Sequence, residues 1–192
     1  MSLVIGLHGA KGSGKDHFFK IVKRAFPLHD VRKIAYADPI KNEVAHIFNL
    51  EDEDQYDLFK RNDVTFQLPG YAPKRVHGRQ VVREIGMLMR RYDEDQFTQY
   101  VEDQIATAPG AVWCITDLRF DNELKSIQTN LGGIIVKIKR SGFQYDGHVT
   151  ETELPDDVCD ATIYNDGTLK QYEEKVIATM YAILDSLTHD KE

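Results

Sequence analysis

Leu3-Val4-Ile5-Gly6-Leu7-His8-Gly9-Ala10-Lys11-Gly12-Ser13-Gly14-Lys15-Asp16 opens the chain with an apolar run, a glycine-rich loop and a lysine. Residues 3–8 read as a strand, 9–14 as a loop, and Lys15 to about Ala25 as a helix that stops before Pro27. Such a loop is a phosphate cradle. Its glycines let backbone N–H groups turn inward, the helix start adds positive potential, and a lysine there reaches outer phosphates. A tight turn with incidental glycines does not explain Lys15, because a cation in the first helical turn opposes the helix dipole unless an anion sits nearby. Lys11, Gly12, Ser13, Gly14, Lys15 and Asp16 are the candidate nucleotide contacts. Asp16 stands where the usual G-x-x-x-x-G-K-[ST] has a hydroxyl. A carboxylate beside a triphosphate is repelled unless magnesium lies between them, so Asp16 is the expected metal residue, directly or through water.

The rest of the chain reads as strands alternating with helices. Arg32–Ala37 reads as a second strand, and Asp38-Pro39 opens a helix to about Phe48, with Asp38 as N-cap. Residues 49–77 lose periodicity, with some helix near Tyr56–Arg61. Helices follow at Gly78–Tyr92 and Asp95–Ala106. On the first of these Val81, Val82, Ile85, Leu88 and Met89 share one face, and Arg79, Arg83 and Arg90 share another. Val112–Thr116 is a buried-type strand ending in Asp117, a helix covers 121–130, and strands cover 133–139 and 161–164. The last helix presents Leu169, Tyr172, Val176, Met180, Ile183 and Leu187 to a core. This alternation predicts an α/β fold: a parallel sheet covered on both faces, with ligands at the carboxyl ends of the strands.

Composition narrows the class. The 192 residues fit a single domain with a sizeable core, and 42% hydrophobic with 29% charged residues is ordinary for a soluble globular protein. A formal charge of −7 argues against nucleic acid as a partner but not against a small anionic substrate held by a local cluster of cations. Two cysteines are too few for a disulfide framework and favour a reduced cytoplasmic setting. No apolar run approaches membrane-spanning length, and the first strand begins too early to leave room for a signal peptide. A GTPase would want D-x-x-G where Asp117-Leu118-Arg119-Phe120 stands, and N-K-x-D is absent. A helicase-type ATPase would end its strand in Asp-Glu. A small kinase remains.

Phosphoryl transfer is mainly a matter of positioning and of neutralising charged oxygens. Lys41 lies in the first turn of its helix, again on the wrong end of the dipole, which asks for an anionic partner. Arg79 and Arg83 stand one turn apart on a face that avoids the core. Asp117 closes a strand at the ligand edge, and Arg119 and Glu123 follow at i, i+4, ready to pair or to grip a ligand. A guanidinium suits phosphate better than an ammonium does. Residues 140–157 read as a short lid, with Arg140, His148, Thr150 and Glu151 as closing contacts. Asn165–Thr168 marks a strand end where a nucleobase fits, or equally a turn with Thr168 as helix N-cap.

Several of these pieces, in this order, resemble the deoxynucleoside monophosphate kinases of large tailed phages. They are Lys11-Gly12-Ser13-Gly14-Lys15-Asp16, Asp38-Pro39-Ile40-Lys41, Gly78-Arg79, Ile85-Gly86, Asp117-x-Arg119-x-x-x-Glu123, Gly132-Gly133, His148-Val149-Thr150-Glu151 and Asn165-Asp166-Gly167-Thr168-Leu169. Residues 49–77 lie outside the match. The resemblance implies a P-loop three-layer αβα fold like that of the nucleoside monophosphate kinases. It has a five-stranded parallel core (about 1–48 and 108–192), a helical acceptor-binding region (about 49–107) and the lid. It also implies transfer of the γ-phosphate of ATP, with Mg2+, to deoxynucleoside monophosphates by a homodimer. By position His17, where the family usually has Thr, joins the ATP contacts. Lys41, Arg79, Gln80, Arg83, Gly86, Phe97, Asp117, Arg119, Glu123 and Glu151 would shape the acceptor site, with Phe97 keeping an aromatic face where Trp is usual. Lys15, Asp16 and Arg119 are the expected catalytic residues, in the cytoplasm of a virus-infected bacterial cell. Two other readings are a P-loop kinase of an alcohol such as a sugar acid, and an ATP-sensing module without turnover.

Overall fold

Short runs rich in Val and Ile become strands, and longer amphipathic stretches become helices. The computed structural model describes residues 2–67, 69–143 and 153–189. In chain order the elements are β1 (Leu3–His8), α1 (Lys15–Ala25), β2 (Val31–Ile34), α2 (Asp38–Phe48), α3 (Glu53–Arg61), β3 (Asp63–Phe66) and β4 (Lys74–His77). They continue with α4 (Gly78–Tyr92), α5 (Gln96–Ala106), β5 (Val112–Ile115), α6 (Asp121–Lys125), β6 (Ile134–Lys139), β7 (Ala161–Tyr164) and α7 (Leu169–His189). The chain divides into two units, Met1–Tyr36 with Val101–Glu192, and Ala37–Tyr100.

The first unit is built on a five-stranded sheet in the order β2-β5-β1-β6-β7, with every pair parallel. The expected α/β sheet is therefore present with five strands. β1 and β5 are buried almost throughout, as central strands covered on both faces should be. On one face Ile5, Leu7, Val136 and Ile138 pack with Phe18, Ile21 and Val22 of α1 and with Tyr172, Val176 and Met180 of α7. The other face is closed around Ile127, whose side chain lies so near Gly6 that a Cβ there would stand 2.6 Å from it. Ile127 belongs to a π-type turn, Ser126–Asn130, that continues α6 where the sequence predicts a plain helix. Ser126 Oγ and Asn130 Nδ2 both donate to Glu102 of α5, which holds the widened turn.

Two expectations about side chains need correction. Leu169 and Leu187 are exposed, 71% and 38%, although they continue the apolar stripe of α7. A 21-residue helix runs about 31 Å, whereas strands of four to six residues span only about 13–20 Å, so the ends of the stripe outrun the core. Likewise Leu88 of α4 is half exposed, so that face is buried only in part.

In the second unit the N-cap of α2 is Ala37 rather than Asp38, with Pro39 in the first turn as expected. The stretch with little periodicity contains α3, whose N-cap Asp52 accepts from Gln55 N–H, and an antiparallel hairpin of β3 and β4 that the sequence pattern did not announce. Its strands are mostly exposed on both faces, so no apolar alternation marks them. Gly78 opens α4 against Phe59, where any Cβ would collide with a backbone carbonyl.

Candidate active site

The carboxyl ends of β1, β5, β6 and β7 carry the candidate residues of the first unit. After β1 the chain turns through Gly9 and Gly14, both at positive φ, and Gly14 is the N-cap of α1. A Cβ on Gly14 would stand 2.7 Å from Asn165 Nδ2, so only glycine fits there. Ser13 N–H donates to Ala10 O across the loop, and the first-turn N–H groups of α1 point back toward its mouth. Lys15 Nζ folds over the loop and donates to Gly9 O and Ala10 O. Ser13 Oγ is buried and has no hydrogen-bond partner among the described residues.

Side chains from distant elements hold this loop by its carbonyls. Asn165 Nδ2 donates to Ser13 O at 2.8 Å, Tyr172 Oη to Gly14 O at 3.0 Å, and Arg140 to Gly12 O at 3.3 Å. Burial pushes the Tyr172 phenol well above its usual range, so it remains a donor. Arg140 also lies 4.7 Å over the Phe143 ring, which packs against Gly12. Asn165 thus supports the phosphate loop. Gln171 N–H donates to Thr168 Oγ1, so Thr168 caps α7, the plainer of the two readings of that turn. Beside the loop opens a cleft of about 590 Å³ lined by Ala10, Arg140, Phe143, Glu153, Tyr164 and Asp166, with Phe143 and Tyr164 partly exposed.

Asp16 is exposed in the first turn of α1, and its carboxylate pairs with Lys33 of β2 at 2.7 Å. Among the described residues no three His, Cys, Asp or Glu side chains gather to hold a metal. His17 stacks on Tyr172, with ring centroids 6.1 Å apart, and Lys11 is exposed.

At the end of β5, Asp117 Oδ1 accepts from Tyr36 N–H at 2.8 Å, tying this strand end to the residues after β2. Glu123 is 1% exposed, and its carboxylate accepts from the N–H groups of Arg119 and Phe120. These bonds cap the turn that carries Arg119. Arg119 is half-buried at the strand edge.

The remaining acceptor candidates lie in the second unit. Lys41 pairs with Asp38 at 2.7 Å, so the anion that its place in the helix asked for is supplied one turn away. Arg79 and Arg83 are half-buried on α4, and Gln80 donates to Glu84. Gly86 lets α4 approach α2, since a Cβ there would stand 2.8 Å from Ile40. Phe97 offers no open face. It is fully buried, and the guanidinium of Arg90 lies 4.5 Å from its ring centroid. Glu151, like His148 and Thr150, lies outside the described residues.

Sequence reasoning passed over His8, Lys137 and Phe143, and read Tyr172 only as a core residue of the last helix. Two of them left a signal: a histidine and a lysine inside otherwise apolar strand runs, both 1% exposed. His8 Nδ1 donates to Leu118 O at 2.9 Å while its Nε2 accepts from Leu154 N–H at 3.0 Å. Burial, helped by Lys137 and Lys15, pushes this imidazole down to about 4, so it is neutral near pH 7.

A model of the deoxynucleotide monophosphate kinase family matches residues 85–176, which include Asp117, Arg119 and Glu123. A protein of Acanthamoeba polyphaga mimivirus named "Putative deoxynucleotide monophosphate kinase" is 29% identical over 188 residues, covering 92% of this chain and 95% of that one. Among solved structures, a dephospho-CoA kinase from Campylobacter jejuni aligns with a TM-score of 0.53 at 14% identity, covering 95% of this chain and 98% of its own. A gluconokinase from Sinorhizobium meliloti 1021 aligns with the same score at 11% identity, covering 99% and 98%. These two structures speak for the P-loop kinase fold. The family match and the viral relative bear out the resemblance to deoxynucleotide monophosphate kinases read from the sequence motifs.

Proposed function

We propose, from the resemblance to deoxynucleotide monophosphate kinases, that this chain transfers the γ-phosphate of ATP to deoxynucleoside 5′-monophosphates. The observation that carries the reading is the phosphate loop. Positive-φ glycines, a helix start, Lys15 and the buried hydroxyl of Ser13 converge there, and distant side chains hold the loop by its carbonyls. Lys15 Nζ, now on loop carbonyls, exchanges them for phosphate oxygens when ATP binds. The adenosine part is assigned to the cleft beside Phe143 and Tyr164, next to Arg140.

Magnesium fits this arrangement as an ion carried in with ATP. It demands few protein ligands, usually one or two carboxylates plus phosphate oxygens and water, and Asp16 at the loop supplies one. Its chemistry there is to neutralise charge on the phosphates. Lys33 holds the Asp16 carboxylate beside the helix start.

On the acceptor side, Arg119 binds the monophosphate, in a turn shaped by Glu123 and anchored through Asp117. Lys41, Arg79 and Arg83 of the second unit take the acceptor role that the resemblance implies, and the same resemblance makes a cytoplasmic homodimer the expected assembly. A phosphate acceptor needs no general base, because its oxygen is already ionised near neutral pH. An alcohol acceptor would need one; of the two carboxylates the sequence offers for it, Asp38 pairs with Lys41 and Asp117 accepts from the Tyr36 N–H.

A coupled ADP-release assay across dGMP, dTMP, dCMP, dAMP and a set of sugar acids tests the reading. Turnover with the monophosphates supports it, whereas turnover only with hydroxyl acceptors, or ATP binding without any turnover, ends it. Arg119→Ala is expected to raise KM for the monophosphate about tenfold or more, with a much smaller change for ATP, as for loss of a charge-assisted hydrogen bond.

A further inference from the structure

Resting on the phosphotransfer reading and deepening it, we propose that His8 and Lys137 are positioning residues. They couple the nucleotide cleft to the Asp117–Arg119 turn by clamping the backbone at Leu154. β1 and β6 run parallel with His8 opposite Lys137, so the two side chains stand together at the carboxyl end of the sheet. The imidazole takes the N–H of Leu154, and the ammonium donates to the carbonyl of the same residue at 2.6 Å. Leu154 itself is 3% exposed. Lys137 also pairs with Glu153 at 2.8 Å and Asp156 at 2.6 Å. Burial alone would lower its pKa, but those carboxylates outweigh burial and raise it, so the clamp stays charged.

The clamp joins three segments already assigned to chemistry. His8 directly precedes Gly9, the first glycine of the phosphate loop. Leu118, whose carbonyl accepts from the His8 Nδ1–H, lies between Asp117 and Arg119. Leu154 follows Glu153, which lines the cleft. Both imidazole bonds go to backbone, so a shift of either segment is passed to the other rather than absorbed by a side-chain rotamer. A core plug would not need these groups. Desolvating an ammonium and an imidazole is costly, and apolar residues of similar volume commonly serve a core as well or better. The one neutral tautomer that satisfies both partners carries its proton on Nδ1.

The test measures binding of a non-hydrolysable ATP analogue (AMP-PNP) by calorimetry, with and without dGMP. In the wild type, dGMP is expected to change AMP-PNP affinity at least about fivefold, the lower edge of ordinary coupling between sites. His8→Leu and Lys137→Met are each expected to bring that ratio to within about twofold of one. His8→Gln, whose amide has both a donor and an acceptor, should keep it. An uncoupled wild type, or coupling that survives His8→Leu in a folded protein, overturns the proposal. A second measurement needs no variant: hydrogen exchange at the Leu154 amide should slow on adding dGMP alone, and unchanged exchange also overturns the proposal. Absence of turnover across the monophosphate panel sinks the parent reading. Unchanged coupling in an active enzyme sinks only this one.

Discussion

The phosphate loop and the second unit are held in place in opposite ways. Around the loop, partners come from far along the chain: Asn165 on Ser13, Tyr172 on Gly14, Arg140 on Gly12, His8 on Leu118 and Leu154. In the second unit several side-chain pairs are with the next turn: Lys41 with Asp38, Gln80 with Glu84, Arg61 with Asp57. Long-range contacts, three of these five buried, cost chain entropy on folding but fix the loop before any ligand arrives. Local pairs that are exposed, such as Arg61–Asp57, are weak, and water and salt loosen them easily. The loop backbone is tied from across the fold, whereas these side-chain pairs of the second unit are local.

Mutations can break this contrast, and the largest effect is expected at Lys15. Lys15→Ala should lower turnover by about two to three orders of magnitude, as for loss of a preorganised charge at the transferring group, with little change in Tm. Steady-state ADP release and thermal melting measure the two together.

Next comes acid sensitivity. The folded protein holds His8 at about 4 against an ordinary 6.5, so between those values the unfolded chain takes up the proton that the folded one refuses. Stability is therefore full above pH 6.5, falls as the pH drops, and stops falling near pH 4. The whole loss is about 3 kcal/mol. Lys137, Lys15 and Glu153 face the same imidazole, the lysines pushing its pKa down and the carboxylate pushing it up. Asp156, drawn down to about 2 by Lys137 and Lys139, adds its own loss only below its ordinary 3.8. Urea midpoints at pH 7 and pH 4.5 should differ clearly in the wild type and much less in His8→Gln.

Tyr172→Phe removes one of the loop's long-range donors and leaves the Gly14 carbonyl short of it. A loss of about 1 kcal/mol in urea unfolding is expected, together with weaker ATP binding. The smallest effect belongs to the second unit. Asp57→Asn breaks an exposed i, i+4 pair and should cost less than about 0.5 kcal/mol in the same unfolding assay. A cost above 2 kcal/mol there would erase the contrast between the two regions.

How much could be read beforehand follows the same division. The strand–loop–helix start was legible because its chemistry is contiguous: glycines, helix start and Lys15 all lie within fifteen residues. Asp117-x-Arg119 was legible as a strand end, but the task of Glu123 was not, since i, i+4 spacing fits a ligand grip and a backbone cap equally well. The β3–β4 hairpin escaped notice because strands exposed on both faces carry no alternation. His8 and Lys137 were visible as polar letters in apolar runs, yet nothing in their spacing names Leu154 as their partner.

By itself, the order of residues determined the alternating α/β plan, the phosphate loop and the set of candidate cations. Those properties are written in hydrophobic period and local backbone chemistry. Only the tertiary structure decided which carbonyl each buried donor holds, that Phe97 is covered by Arg90, and that one histidine ring bonds the backbone at both Leu118 and Leu154. Such pairings depend on which strands become neighbours in the sheet, and strand register is a property of the whole packed chain.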